Sequence, residues 1–283
     1  MQTRKKAGPA SSLRFCLKAA PKSIGGVGHL RAKPLSRYKK TRLDQLLVTK
    51  GLAETRSRAA DAIKRGCVGV DGRQAEKSGQ LVSEDADIAL SEDAMAFVSR
   101  GGLKLAAALD AFGFDPTGRT CLDVGASTGG FTDCLLQRGA ASVYAVDIGH
   151  GQLHHSLRRN PAVHVMEKTD ARSLQKEMFD APITAITADV SFISLSLVLL
   201  RALDIAAPGA FLAALVKPQF ELEPEAIGKG GIVRDELDRQ IALARVRDFL
   251  EYDAGWPVVG EIESPILGGS GNQEFLIGAL KPE

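Results

Sequence analysis

The chain has 283 residues, 45% of them apolar and 25% charged, enough to bury the cores of one large and one small domain. No run of about eighteen apolar residues occurs, which argues against a membrane-spanning helix. The four cysteines (Cys16, Cys67, Cys121, Cys134) lack metal-ligand spacing, so no metal is expected and they read as buried reduced thiols of a cytoplasmic protein.

The net charge of +2 conceals an asymmetry. Residues 1–40 hold eleven Lys/Arg and no acid, which leaves 25 basic against 34 acidic groups on residues 41–283. Residues 1–40 lack periodicity and contain Gly, Pro and Ser, so they read as a disordered basic extension. An acid-free start with Arg and Ser also matches an organellar transit peptide or an overlong gene start. The absence of a continuous apolar stretch argues against a secretory signal.

From Arg42 the texture changes. Leu43, Leu46, Leu47 and Leu52 have helical spacing, with Gly51 as the closing residue. A second helix packs through Ala59, Ala60, Ala62 and Ile63 and ends at Gly66. It crowds Arg56, Arg58, Lys64 and Arg65 into one short region. CVGVDG then reads as a strand with an Asp71–Gly72 turn, and QLVSEDADIAL as a second short β segment. Residues 41–90 thus form one small helix–helix–hairpin module. Residues 91–102 read as a linker, in which the Gly101–Gly102 pair marks a break before a helix through Leu103–Leu109. Lys104 sits in the first turn of that helix, where the macrodipole disfavours a cation.

Residues 103–283 alternate strand and helix. CLDVGA, SVYAVDI, VHVMEK, ITAITADV and AFLAALVK are strands, with helices FTDCLLQRG, SLSLVLLRALDIA and RDELDRQIALARVRDFL between or after them. VVGEIES and EFLIGAL close the sheet, joined by turn-rich PILGGSGNQ, so the last strand is expected antiparallel. This is an α/β, Rossmann-like, mostly parallel seven-stranded sheet with a small α+β module in front. Ligands sit at the carboxyl ends of such strands. Asp123, Asp147, Asp170, Asp189 and Lys217 all fall at or just beyond strand ends.

The first strand runs into Gly125, Ala126, Ser127, Thr128, Gly129, Gly130 and Phe131, a turn lined by small residues. No GK[ST] follows, which excludes a Walker loop, and the spacing is not GxGxxG. A carboxylate at Asp123 fits poorly beside a pyrophosphate and suits a cationic ligand. S-adenosylmethionine has a sulfonium and an ammonium and no phosphate. Asp147 would take its ribose hydroxyls and Asp170 would lie near the adenine.

These motifs resemble known families. RLDQLLVTKGLAETRSRAADAIKRGCVGVDG resembles an S4 domain, which implies contact with structured RNA through Arg42, Arg56, Arg58, Lys64 and Arg65. LDVGASTGGFTDCLLQRGA followed by VYAVDIGHGQL resembles the FtsJ-like ribose 2′-O-methyltransferases. The two together are the arrangement of the TlyA family, described both as haemolysins and as ribosomal RNA methyltransferases. The resemblance implies S-adenosylmethionine as cofactor, cytidines of 16S or 23S ribosomal RNA as target, and a catalytic set at Lys104, Asp189, Lys217 and Glu274.

That chemistry suits the residues. A ribose hydroxyl is a poor nucleophile until its proton is lost, and a lysine near a second cation can take that proton. Lys217 is read as the base, with Lys104 beside it, Asp189 nearest the methyl donor and Glu274 orienting a lysine. A membrane-active haemolysin and a non-catalytic RNA-binding assembly factor are the alternatives. His154 and His155 read as helix-surface residues, and KGGIVRD (229–235) as a flexible loop.

Overall fold

The computed structural model describes residues 39–283 apart from Gly269, so the expectations for residues 1–38 lie outside the described residues. Lys40, assigned above to the extension, opens strand β1 (Lys40–Arg42). Helices α1 (Leu43–Thr49) and α2 (Arg56–Lys64) follow, the second capped by the Thr55 hydroxyl, which accepts the Arg58 N–H at 3.2 Å. Strand β2 (Val68–Val70) turns through Asp71 and Gly72, both with positive φ, into β3 (Arg73–Gln74). The segment expected as one β element is two strands, β4 (Leu81–Ser83) and β5 (Ile88–Leu90), separated by charged Glu84, Asp85 and Asp87. They pair with different partners, β4 with β1 and β5 with β2. Leu43, Leu47, Ala59, Ile63 and Val68 fill the core of this small module.

Helix α3 (Gly101–Phe112) begins at the Gly pair, which is therefore its first turn and no break. Close packing is the reason. A Cβ on Gly102 would lie 2.3 Å from the Phe97 ring, and one on Gly130 would lie 3.0 Å from the Gly102 nitrogen.

The main sheet comprises β6 (Thr120–Val124), β7 (Ser142–Asp147), β8 (Val163–Glu167), β9 (Ala185–Ala188), β10 (Phe211–Val216), β11 (Val258–Glu263) and β12 (Phe275–Leu280), in the order β11-β12-β10-β9-β6-β7-β8. β12 alone runs antiparallel to its neighbours β10 and β11, as the turn-rich connection predicts. Helix α4 (Gly130–Gln137) follows β6, the short α5 (His155–Arg158) follows β7, and α6 (Leu195–Ile205) follows β9. The short α7 (Pro218–Glu221) and α8 (Glu236–Asp248) follow β10.

Both faces of the sheet are covered, because successive side chains on a strand point to opposite faces. Leu212, Ala214 and Val216 join one core with Val198, Leu199, Leu203 and Leu243 of α6 and α8. Phe211, Ala213 and Leu215 join the other with Leu105, Leu109, Cys134 and Leu135 of α3 and α4. The strand order reverses between β6 and β9. A crevice opens at the carboxyl ends of strands at such a reversal.

The segment between the S4-like module and the sheet is held from both sides. Arg65 donates to the Ala94 carbonyl at 2.9 Å and Arg58 donates to that of Phe97, while Asp133 accepts the Val98 N–H at 2.7 Å. His154 is not a helix-surface residue. It caps α5, and its Nε2 lies 2.9 Å from Glu54 of the first module, so it joins the two domains.

Candidate active site at the sheet reversal

The two strands flanking the reversal touch directly beyond their ends. Gly125, which follows β6, has φ +83°, and a Cβ there would stand 2.6 Å from the carbonyl oxygen of Asp189, which follows β9. No other residue fits that backbone and that approach without displacement. The turn is then fixed by β7: Gly125 and Ala126 donate to the Val146 carbonyl at 2.9 and 3.1 Å, and Asp147 accepts the Ser127 N–H at 2.8 Å. The other oxygen of Asp147 accepts the Gly149 N–H at 2.7 Å.

Two cavities meet at Gly125, Ser127 and Asp189. The larger, of about 400 Å³, is lined by Asp147, Asp170, Arg172 and Gln152 with apolar walls from Val124, Val146 and Ile193. The smaller, of about 250 Å³, brings together Lys104, Asp189, Lys217 and Glu274 with Ala126, Gly130, Phe131 and Arg100. Four residues separated by up to 170 positions thus share one chamber, one from α3 and three from just beyond the ends of β9 and β10 and just before β12.

Within it the charges are paired. Lys104 and Glu274 are both buried and form an ion pair. Lys217 Nζ stands 2.6 Å from Asp189 Oδ1, yet outside hydrogen-bonding geometry; Oδ1 is buried and receives no hydrogen bond. The hydrogen bond of Lys217 goes instead to Ser191 Oγ, at 2.9 Å. A carboxylate oxygen without a hydrogen bond thus lies against an ammonium that is held by a hydroxyl.

Asp123 does not line either cavity, and neither does Gly129. Asp123 lies inside β6, fully buried, where it accepts from Thr132 Oγ1 at 2.6 Å and Thr187 Oγ1 at 3.1 Å. The carboxyl expected to face a cationic ligand is thus buried behind the cavity walls. The carboxyl instead ties the first turn of α4 and strand β9 to the loop above. Burial pushes its pKa up to about 7, against the pull of the two threonine hydroxyls. A value raised above the unfolded one favours folding fully below about pH 4, and that contribution is lost as pH rises through about 7. Asp123→Asn is expected to be the more stable protein at about pH 8 and to lose that advantage near pH 4. Urea unfolding at both pH values decides it; a wild type as stable as the variant at pH 8 would refute the assignment.

At Asp170 the carboxylate caps the turn that follows β8 and is held well below the usual range by the Arg172 guanidinium, 2.6 Å away. Three participants have little sequence signal. Ser191 and Arg100 are ordinary polar residues until the fold places them, and Thr187 shows only as a hydroxyl in the middle of an apolar run. Phe192 is 91% exposed with φ +66°, a strained aromatic on the wall of the larger cavity.

The cations expected to meet RNA divide into two groups. Arg42 and Arg56 both pair with Asp44, at 2.9 and 3.0 Å, and keep about half of their side-chain surface exposed. Together they hold the Asp44 carboxyl down at about 2. Lys64 is exposed. Arg58 and Arg65 are spent on the linker carbonyls described above, so they brace the domain junction.

A family model described as FtsJ-like methyltransferase matches residues 97–281, and one described as S4 domain matches residues 41–88. The chain is 45% identical over 241 residues to the 16S/23S rRNA (cytidine-2′-O)-methyltransferase TlyA of Mycobacterium tuberculosis, covering 84% of this chain and 89% of that protein. It is 40% identical over 236 residues to Hemolysin A of Brachyspira hyodysenteriae, with 83% and 98% covered. A solved structure of a candidate hemolysin from Streptococcus thermophilus superposes with TM-score 0.67 at 40% identity, over 87% of this chain and 90% of that one.

Proposed function

This chain belongs to the TlyA family, an S4 domain joined to an FtsJ-like methyltransferase domain, and from that premise we propose that it is an S-adenosylmethionine-dependent methyltransferase acting on the 2′-hydroxyl of a cytidine in ribosomal RNA. The observation that carries the reading is the convergence of Lys104, Asp189, Lys217 and Glu274 on one small chamber beside a larger, acid-edged one. The mycobacterial relative's name gives 16S and 23S RNA as its targets, and the same two are proposed here.

The residues present fit the cofactor. The bound cofactor supplies a methyl group on a cationic sulfur. Asp147 has lone pairs left for sugar hydroxyls after its two backbone bonds, and Asp170 with Arg172 edges the same cavity. Asp189 lines both cavities, and its carboxylate, paired with Lys217 but with one oxygen that receives no hydrogen bond, favours positive charge where they meet. Gly125 leaves the space that a Cβ would fill.

On the acceptor side, Lys217 holds the ribose hydroxyl, and its Nζ, once its own proton has left, receives the hydroxyl proton. Ser191 fixes where that nitrogen sits, and Glu274 fixes Lys104 opposite. Rate is gained chiefly by positioning oxygen and methyl in line. The exposed ring of Phe192 offers a stacking face for a base at the cavity wall. Arg42, Arg56 and Lys64 supply phosphate contacts from the S4 domain.

Incubation with methyl-labelled cofactor and purified ribosomal subunits tests this. Labelled 2′-O-methylcytidine, located by mass mapping of the RNA, is expected from the wild type, and no label in either subunit would overturn the reading. In the same assay Arg56→Ala with Lys64→Ala is expected to raise the KM for RNA and reduce the logarithmic salt slope by about 2, roughly one per cation. An unchanged slope would show that these cations do not meet phosphates.

A further inference from the structure

The loop between β11 and β12 contains a buried amide outside the catalytic set. Asn272 is 1% exposed, and its carboxamide makes two bonds to a single peptide segment. Oδ1 accepts the Val233 N–H at 2.9 Å, and Nδ2 donates to the Gly231 carbonyl at 2.8 Å. On its own side, the Asn272 carbonyl accepts the Gly268 N–H at 2.9 Å. Two residues later comes Glu274, whose carbonyl accepts the Ser264 N–H at 2.8 Å and whose carboxylate pairs with Lys104. A Cβ on Gly268 would stand 2.4 Å from the Glu274 carboxylate, so the acid is confined by the same loop that Asn272 anchors.

The segment gripped by Asn272 is the glycine-rich stretch 228–234. It closes on itself, Gly228 donating to Ile232 at 3.1 Å and Gly231 to Gly228 at 3.0 Å, and it is rooted by buried Val233. Its outer surface shows Lys229 and Arg234, both exposed and neither in an ion pair among the described residues. Contrary to the expectation of a free loop, it is a cationic knuckle fastened by Asn272 on one side and by Arg239, which donates to the Arg234 carbonyl at 3.0 Å, on the other. Asn272 lies two residues from the anion that holds Lys104.

We infer that Asn272 is a positioning residue: it couples the knuckle, a second phosphate-contact element for the RNA acceptor, to Glu274, so that RNA seated on Lys229 and Arg234 fixes the Glu274–Lys104 pair. The inference rests on the proposed methyl transfer to RNA. A buried amide with one donor and one acceptor, both used on a loop that presents cations, links the two sites: hydrogen bonds join it to the knuckle, and two residues of chain with the close packing of Gly268 join it to the Glu274 carboxylate. Leaving that donor and acceptor unmatched is costly in a dry site, which makes the link stiff.

Asn272→Ala removes both bonds. Asn272→Asp keeps the acceptor for Val233 but sets an oxygen against the Gly231 carbonyl, and it carries the test if the alanine variant does not fold. Either is expected to lower kcat roughly 10- to 100-fold, the scale of a small misplacement in a reacting site. Cofactor affinity by calorimetry should stay within about twofold, since Asn272 lines neither cavity. Adding the change to Glu274→Gln should cost no further kcat, because Asn272 acts through that acid. Lys229→Ala with Arg234→Ala should raise the KM for RNA in either background but lower kcat only where Asn272 is intact. Losses that multiply in the Glu274→Gln background, or a KM unmoved by the two cation changes, would overturn the coupling. A wild type that binds cofactor but labels no RNA would instead sink the functional reading. An active wild type matched by both Asn272 variants would sink this inference alone.

Discussion

Lys217→Ala is expected to slow methyl transfer by about 10²- to 10⁴-fold while RNA and cofactor binding stay close to the wild type, the size of effect typical of a lost general base. Neither the other lysine nor the neighbouring serine can take over. Lys104 is bound to Glu274, and Ser191 is too weak a base on its own. Lys217 lines only the smaller cavity, whereas Asp189 lines both. Asp189→Ala should therefore lose a comparable factor in kcat and also weaken cofactor binding, as seen by calorimetry. Single-turnover methylation with saturating cofactor separates the two. Activity retained in both variants would remove the assignment of this chamber as the reacting site. A Lys217 variant that loses cofactor affinity as strongly as rate would place that lysine on the donor side instead.

The features legible in the sequence are those set by local pattern. Apolar runs ending in Asp147, Asp189 and Lys217 located strand ends, because a buried parallel strand needs a continuous apolar run and stops where it meets polar surface. The turn-rich stretch before Phe275 foretold the antiparallel last strand. Asp123 misled, since it precedes the turn by two residues and the periodicity of a strand does not say whether a polar side chain faces a cavity or a neighbouring hydroxyl. Thr132 and Thr187, which settle the matter, lie 9 and 64 positions away. Charge and the resemblance to an S4 domain are what mark the basic helix in the sequence. Whether Arg58 points to solvent or to the Phe97 carbonyl depends on how the linker returns across it, which no spacing encodes. The same holds for His154 and Glu54, 100 positions apart, and for Asn272, whose two partners lie in another loop.

The second large effect concerns stability as well as rate. Lys104 and Glu274 are 5% and 3% exposed, so neither charge has water to turn to if its partner is removed. Glu274→Ala should destabilise the fold by about 3–5 kcal/mol, because an uncompensated ammonium is left beside apolar Leu105 and Phe131. Replacing both members, as in Lys104→Met with Glu274→Met, removes the stranded charge and should recover most of that loss, since buried pairs are often matched by well-packed apolar side chains. Methyl transfer should not recover. Urea unfolding of the two single variants and the double one, beside their labelling rates, gives the comparison directly. If the double variant regained activity together with stability, the pair would be a structural strut, and the case for Lys104 in the reaction would fall. If Glu274→Ala unfolded like the wild type, Lys104 would have another partner in solution, and the chamber would be open to water. The expected split, stability regained without turnover, follows from placing a buried cation where the fold alone has no use for one. That cation sits at the end of the first turn of α3, against the helix dipole, and it is held there by an acid 170 residues away.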